Sequence, residues 1–140
     1  MELLRNRWQL WMIGACVLTG CSRGDRPQLG AVTGTVFLDE APLPNVWVMF
    51  NPTAGGRTSM ARTNELGQYE LLYLDGVKGA NIGSHKVVIL TYNEDELEEM
   101  KASAGGSVKE PIPSKYNSQT TLTEDVSEGR NVIDFHLESK

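Results

Sequence analysis

The sequence predicts an all-β protein: a single β-sandwich of about seven strands, with a short acidic helical insertion near residues 94–103. Apolar side chains recur with a period of two along most of the chain, which is the pattern of half-buried strands. Clusters of Gly, Pro, Asn and Asp separate these runs and predict turns. Helical segments do not alternate with the strands, so the pattern argues against a parallel βαβ architecture.

The predicted strands follow a polar N-terminal stretch. In each of them, apolar side chains on one face alternate with polar or mixed side chains on the other. Pro42 and Pro44 close the first strand because a proline has no N–H to donate to a ladder. The seven runs are residues 31–38, 46–50, 58–63, 68–72, 84–92, 120–126 and 131–138.

The connections and the strand at 84–92 carry further information. That strand is largely apolar on both faces and is predicted to lie centrally in its sheet. Its His85 falls on the inward face, so we interpret it as a packed core histidine. Gly67 suits the positive φ of a tight turn at 64–67. Residues 76–83 are predicted to be a polar loop.

Acidic side chains dominate residues 94–99. Leu97 and Met100 lie three apart, as on a helix, and Asn93 is a suitable N-cap. We interpret the acidic side chains as a solvated helix face. Calcium binding through their carboxylates stays open as an alternative, although the alternating Asp/Asn-Gly loop of a dedicated site is missing.

Residues 18–21 (Leu-Thr-Gly-Cys) resemble the lipobox of a bacterial lipoprotein. Arg5 and Arg7 precede an uncharged run at 8–17, which is too short to span a bilayer but has the length of a signal-peptide core. The resemblance implies a signal peptide at 1–20, cleavage between Gly20 and Cys21, and a lipid on the Cys21 thiol. Residues 21–30 are then predicted to be a flexible tether, since they contain almost no apolar side chain.

Removal of residues 1–20 would leave 120 residues, about one domain, and would take the net charge from −5 to −6 because two Arg and one Glu are lost. An acidic chain argues against nucleic acid as a partner. It also leaves the lipid as the predicted membrane anchor. Cys16 would leave with the signal, so no thiol would remain for a disulfide, a zinc site or a nucleophile.

Four motifs lie in order along the chain: Gly-Thr-Val at 34–36, Ala-Pro-Leu-Pro-Asn-Val at 41–46, Thr-Asn-Glu-Leu-Gly-Gln-Tyr at 63–69 and Gly-Ser-His-Lys-Val-Val-Ile at 83–89. Together they resemble one family, the carboxypeptidase regulatory-like domain. The resemblance implies a transthyretin-like (prealbumin-like, Ig-like) sandwich over residues 31–138. The C-terminal part, with residues 112–117 and 132–137, looks like small lipoproteins abundant in planctomycetes.

None of these motifs carries a catalytic residue. Asp134, His136 and Glu138 share the outward face of the last predicted strand, about 7 Å apart, and are interpreted as exposed charge rather than metal ligands. We therefore predict a protein that is not an enzyme and has no metal and no cofactor.

Two hypotheses about function follow. The first is an envelope lipoprotein, held to the membrane through Cys21, that acts as a structural or protein-interaction module. The second is a carbohydrate-binding module in which Trp47, predicted to be exposed, stacks on a polysaccharide. Ser22 after the cysteine favours the outer membrane over the inner one, by resemblance to known sorting rules. The sequence does not identify the envelope protein or polysaccharide.

Overall fold

The computed structural model describes residues 27–140. The predicted signal peptide, the predicted cleavage after Gly20 and the predicted lipidation of Cys21 all concern positions outside these residues. Within them the chain forms twelve strands and one α-helix, α1 (Glu94–Ala104), with a 3₁₀ turn at Ser114–Tyr116. The strands are β1 (Leu29–Leu38), β2 (Ala41–Pro42), β3 (Trp47–Pro52), β4 (Ser59–Arg62), β5 (Gln68–Glu70), β6 (Leu72–Leu74), β7 (Val77–Lys78), β8 (Ala80–Asn81), β9 (Gly83–Leu90), β10 (Thr123–Val126), β11 (Arg130–Val132) and β12 (Phe135–Leu137).

The strands make two sheets, which confirms the predicted all-β sandwich. In the first sheet the long strand β1 pairs with five short strands: parallel with β11 and β12, and antiparallel with β2, β5 and β8. The second sheet has the order β10-β9-β3-β4-β6-β7, with antiparallel neighbours. Its strand β9 lies between β10 and β3, as the apolar character of both faces predicts.

The inward faces of the two sheets form one core. Val36 on β1, Val48 and Phe50 on β3, and Ile89 on β9 are fully buried. Their alternation with half-exposed neighbours is the period of two seen in the sequence. His85 is also fully buried, as predicted, with its ring centroid 5.5 Å from that of Phe50.

The turn motif at 63–69 connects β4 of the second sheet to β5 of the first, and its side chains hold the turn in shape. The Asn64 carboxamide oxygen accepts hydrogen bonds from the N–H groups of Leu66 and Gln68, and Gly67 has φ +75°. The Thr63 hydroxyl donates to the Leu43 carbonyl (2.8 Å) and accepts from the Val46 N–H (3.0 Å). These contacts give the threonine, asparagine and glycine of the motif their structural roles in the turn.

The structure has five strands more than the predicted seven. One of them, β2, lies in the predicted proline turn and pairs with the end of β1, and another, β6, follows β5 directly. Residues 76–83, predicted to be a loop, contain the two-residue strands β7 and β8, which are too short to show a period. The predicted last strand at 131–138 is divided into β11 and β12, because the Asp134 side chain replaces a backbone acceptor and receives the Thr35 N–H at 2.8 Å.

The predicted acidic helix is confirmed at Glu94–Ala104. Asn93 is its N-cap, and with Glu96 it forms a capping box in which each side chain accepts the other residue's backbone N–H. Gly105 ends the helix in the left-handed conformation. Of the helices formed by residues 27–140, none has both the length and the apolar character that crossing a membrane requires.

The sandwich has two ends, which we call proximal and distal. At the proximal end β1 begins, the Ile82 N–H donates to the Gln28 carbonyl, and β9 starts. At the distal end β1 finishes beside β12, and β3 begins beside the last residue of β9. Ten residues of β1 therefore separate the two ends by about 30 Å.

Candidate interaction face

The outer face of the second sheet carries an apolar row across four adjacent strands. Met49 on β3 lies directly opposite Val88 on β9 and Met60 on β4, and Met60 lies opposite Leu72 on β6. Paired residues on neighbouring antiparallel strands share a face, so the four side chains form a continuous stripe. We call Val88, Met49, Met60 and Leu72 the methionine row.

This row is only partly covered. Val88, Met49 and Met60 are half-buried, and Leu72 is 37% exposed. Beyond Leu72, the neighbouring Leu74 and Val77 are 40% and 38% exposed. A sheet face that looked only toward water would carry polar side chains here. The apolar row therefore marks a surface that can bind a partner.

Helix α1 lies beside the row and forms a groove with it, which we call the distal groove. The groove has a volume of about 460 Å³. Apolar side chains form its floor, and the first turn of α1 supplies its polar rim. The lining side chains are Met49, Met60, Val88, Leu90, Tyr92 and Leu97, with Asn93, Glu94 and Asp95.

Trp47, the predicted ligand contact, lies at the distal end of this face but is half-buried rather than exposed. The Arg62 guanidinium carbon sits 5.2 Å from the centroid of its ring. Its indole N–H donates to the Glu96 carboxylate at 3.0 Å. The prediction of an exposed Trp47 was wrong because Arg62 on β4 and Glu96 on α1, both distant in sequence, cover its ring.

Glu96 is the centre of this cluster. One carboxylate oxygen accepts the Trp47 indole N–H and the Asn93 backbone N–H, and the other forms an ion pair with Arg62. The indole hydrogen bond, with the contributions of Asn93 and Arg62, holds the pKa of Glu96 below its usual value. Glu96 is thus a structural carboxylate that fastens the start of α1 to the sheet.

The two histidines have different environments. The His85 Nε2 lies 2.6 Å from the Asn81 carbonyl oxygen and donates to it, and within residues 27–140 the Nδ1 atom has no hydrogen-bond partner. His136 is exposed and stacks on Phe37 with ring centroids 4.8 Å apart. The structure does not bring the two rings together, since one lies in the core and the other on the outer surface.

Asp134 and Glu138, which lie two residues before and after His136, interact with other groups. Asp134 accepts the Thr35 N–H, and Glu138 lies 3.9 Å from the Lys115 ammonium group. Among the residues that the structure describes, no three His, Cys, Asp or Glu side chains gather as metal ligands.

A shallow cavity of about 730 Å³ lies on the first sheet. Asn64, Gln68, Glu70 and Asp134 contribute to its lining. Tyr69 at its base donates its hydroxyl to the Ile133 carbonyl (2.6 Å), and burial raises the pKa of this phenol. The hydroxyl therefore holds the link between β11 and β12 to the sandwich.

The alternation in the sequence places Trp47 on the outer face and, because Tyr69 and Leu71 share the inner face, Leu72 on the outer one. It does not show that Met60 and Leu72 lie side by side, since Met60 stands in a short run with weak alternation. The pairing of β4 with β6 decides this, and pairing is a long-range property.

Comparisons with protein-family models and with curated proteins find no match to this chain. The resemblance to the carboxypeptidase regulatory-like domain accordingly stays a prediction that rests on the motifs.

Proposed function

We propose that this chain is an envelope lipoprotein, anchored through a lipid on Cys21, whose β-sandwich is a non-enzymatic protein-interaction module. The methionine row and the distal groove are its contact surface. The observation that carries the proposal is the continuous apolar row across β9, β3, β4 and β6. A row of this kind favours a partner that offers apolar side chains.

The chemistry of the surface favours a protein partner. Methionine side chains are flexible and polarizable, so they adapt to apolar groups of different shape. The rim of the distal groove adds the carboxylates of Glu94 and Asp95, which can orient a partner through its cationic side chains. An apolar segment bearing Lys or Arg fits both features.

A polysaccharide partner is supported less well. Sugar stacking needs an open aromatic face, and the Arg62 guanidinium lies over the Trp47 ring. The indole N–H, which could donate to a sugar hydroxyl, already donates to Glu96. Binding of a polysaccharide that Trp47→Ala abolishes would replace this proposal with the carbohydrate-binding one.

The anchor is tested by fractionation of cells that express the full chain. Wild-type protein is expected in the membrane pellet and to incorporate labelled palmitate. The Cys21→Ala protein is expected in the soluble fraction without label. Retention of Cys21→Ala in the membrane pellet would show that something other than this lipid holds the protein.

The contact surface is tested by photo-crosslinking in the native envelope. A photoreactive phenylalanine analogue replaces Leu72, in the row, or Val132, which is 75% exposed on the first sheet and serves as the matched control. We expect a discrete protein adduct from position 72 that disappears when Met60→Glu is added, and none from position 132. Identical adducts from both positions would contradict the assignment.

A further inference from the structure

We propose that the proximal end of the sandwich is a membrane-facing surface, which lies against the bilayer that holds Cys21. The inference rests on the proposed lipid anchor and adds an orientation to it. Its partner is the lipid surface itself. The distal groove is then displayed on the side away from the bilayer.

The first argument is covalent reach. Six peptide units join Cys21 to Pro27, the first described residue, so their Cα atoms can be no more than about 22 Å apart. Pro27 and Gln28 lie at the proximal end, where the Gln28 carbonyl accepts the Ile82 N–H at 3.1 Å. A lipid at Cys21 therefore keeps the proximal end within about 22 Å of the lipidated residue, whereas the distal end lies about 30 Å further along β1.

The second argument is the composition of the proximal end. A groove of about 590 Å³ opens there, and within the described part of the chain no charged side chain lines it. Ile82 at its edge is 38% exposed. The lining residues are Pro27, Gln28, Pro52, Ala54, Gly55, Gly56, Tyr73, Asn81, Ile82, Gly83 and Ser84.

This composition is notable in a protein with a net charge of −5. Acidic side chains near anionic headgroups would be repelled, so the uncharged groove is the part of this end that can approach them most closely. Exposed charges of both signs surround the groove. Arg57 and Arg130 add favourable charge, and Asp75, Asp125 and Glu128 oppose it. The acidic first turn of α1 lies at the distal end, next to Trp47.

The third argument is that the proximal loops are held in place. The backbone N–H and the hydroxyl of Thr53 both donate to the Ser84 carbonyl, at 3.0 and 3.2 Å. The Thr58 hydroxyl donates to the Asn51 side chain at 2.7 Å. The Thr53 bonds join the loop after β3 to the start of β9, and the Thr58 bond ties the two ends of that loop together. The proximal end therefore presents one defined surface to the lipid.

The orientation can be read from tryptophan fluorescence, because Trp47 is the sole tryptophan in residues 21–140 and lies at the distal end. The lipidated protein is placed in phosphatidylethanolamine–phosphatidylglycerol vesicles that contain brominated phospholipids, which quench nearby indoles. A second protein carries Trp47→Phe and Ile82→Trp, which moves the probe to the proximal end. Mass spectrometry first verifies that both proteins begin at a lipidated Cys21.

We expect strong quenching of the indole in the Ile82→Trp protein and little in the Trp47 protein. The distal end stands about 30 Å higher, whereas the interfacial layer is only about 6 Å thick on each side. Equal quenching of both probes, or none of either, would overturn the orientation while leaving the anchor intact. A protein without lipid at Cys21 would refute the proposed anchor and, with it, this inference.

Discussion

At the scale of single residues, close packing accounts for Gly34 and Tyr69 of the sequence motifs. Gly34 faces Tyr69 across β1 and β5, and a Cβ on Gly34 would lie 1.8 Å from the Ile133 carbonyl oxygen. That same oxygen accepts the Tyr69 hydroxyl. The three residues thus form one contact, which the sequence motif shows only as a spacing.

Gly34→Ala is expected to destabilise the fold, because the added methyl group cannot avoid the backbone of Ile133. The expected loss is about 1–3 kcal/mol in the free energy of unfolding. Urea unfolding of the domain measures it. Gly106→Ala is the matched control, since a Cβ there would meet nothing within 4 Å. A Gly34→Ala protein as stable as this control would contradict the packing.

Glu124→Gln is expected to stabilise the protein at neutral pH. Burial, aided by the charge of Asp125, raises the pKa of the Glu124 carboxyl in the folded state. Its contribution to stability is present below the unfolded pKa of about 4.3 and is lost as pH rises through the folded pKa. Urea midpoints of the two proteins should therefore coincide in acid and separate at neutral pH. A difference confined to acid would contradict the sign.

At the scale of elements, the period of two in the sequence predicts which side chains face inward, but it does not predict where a strand is interrupted. Phe135 and Leu137 are buried as predicted, yet the break at Asp134 depends on a bond to Thr35, 99 residues earlier in the sequence. The cover over Trp47 comes from Glu96, 49 residues later. Local sequence patterns contain neither contact. The sandwich and the acidic helix could therefore be predicted, whereas the half-buried position of Trp47 could not.

Glu96→Gln is expected to loosen helix α1 from the sheet, since it removes the charge that pairs with Arg62. Amide hydrogens of Glu94–Ala104 should exchange faster, and the Trp47 emission should shift to the red. Glu98→Gln, an exposed carboxylate on the same helix, is the control and should change neither. Unchanged exchange in Glu96→Gln would show that the cluster does not hold the helix.

The capping box makes a separate contribution to the same helix. Asn93→Ala removes the side chain that accepts the Glu96 N–H at 2.9 Å. The expected cost is about 1 kcal/mol, measured as a lower urea midpoint. Asn93→Asp keeps an acceptor oxygen and should retain most of the stability. Equal losses in both variants would indicate that the cap oxygen is not the cause.

At the scale of the whole molecule, the two ends of the sandwich differ in a way that suits a tethered binding module. The proximal end carries the N-terminal connection and an uncharged groove, and the distal end carries the apolar groove beside α1. About 30 Å of β1 lies between them. An anchor at Cys21 would hold the proximal end at the membrane and leave the distal end free to bind a partner.

The most direct test of this account is the chemical state of Cys21 in the protein extracted from membranes. Mass spectrometry of the N-terminal peptide should show a chain that begins at Cys21, with a diacylglyceryl group on its thiol. A peptide that still contains residues 1–20, or a Cys21 that carries no lipid, would contradict the central claim.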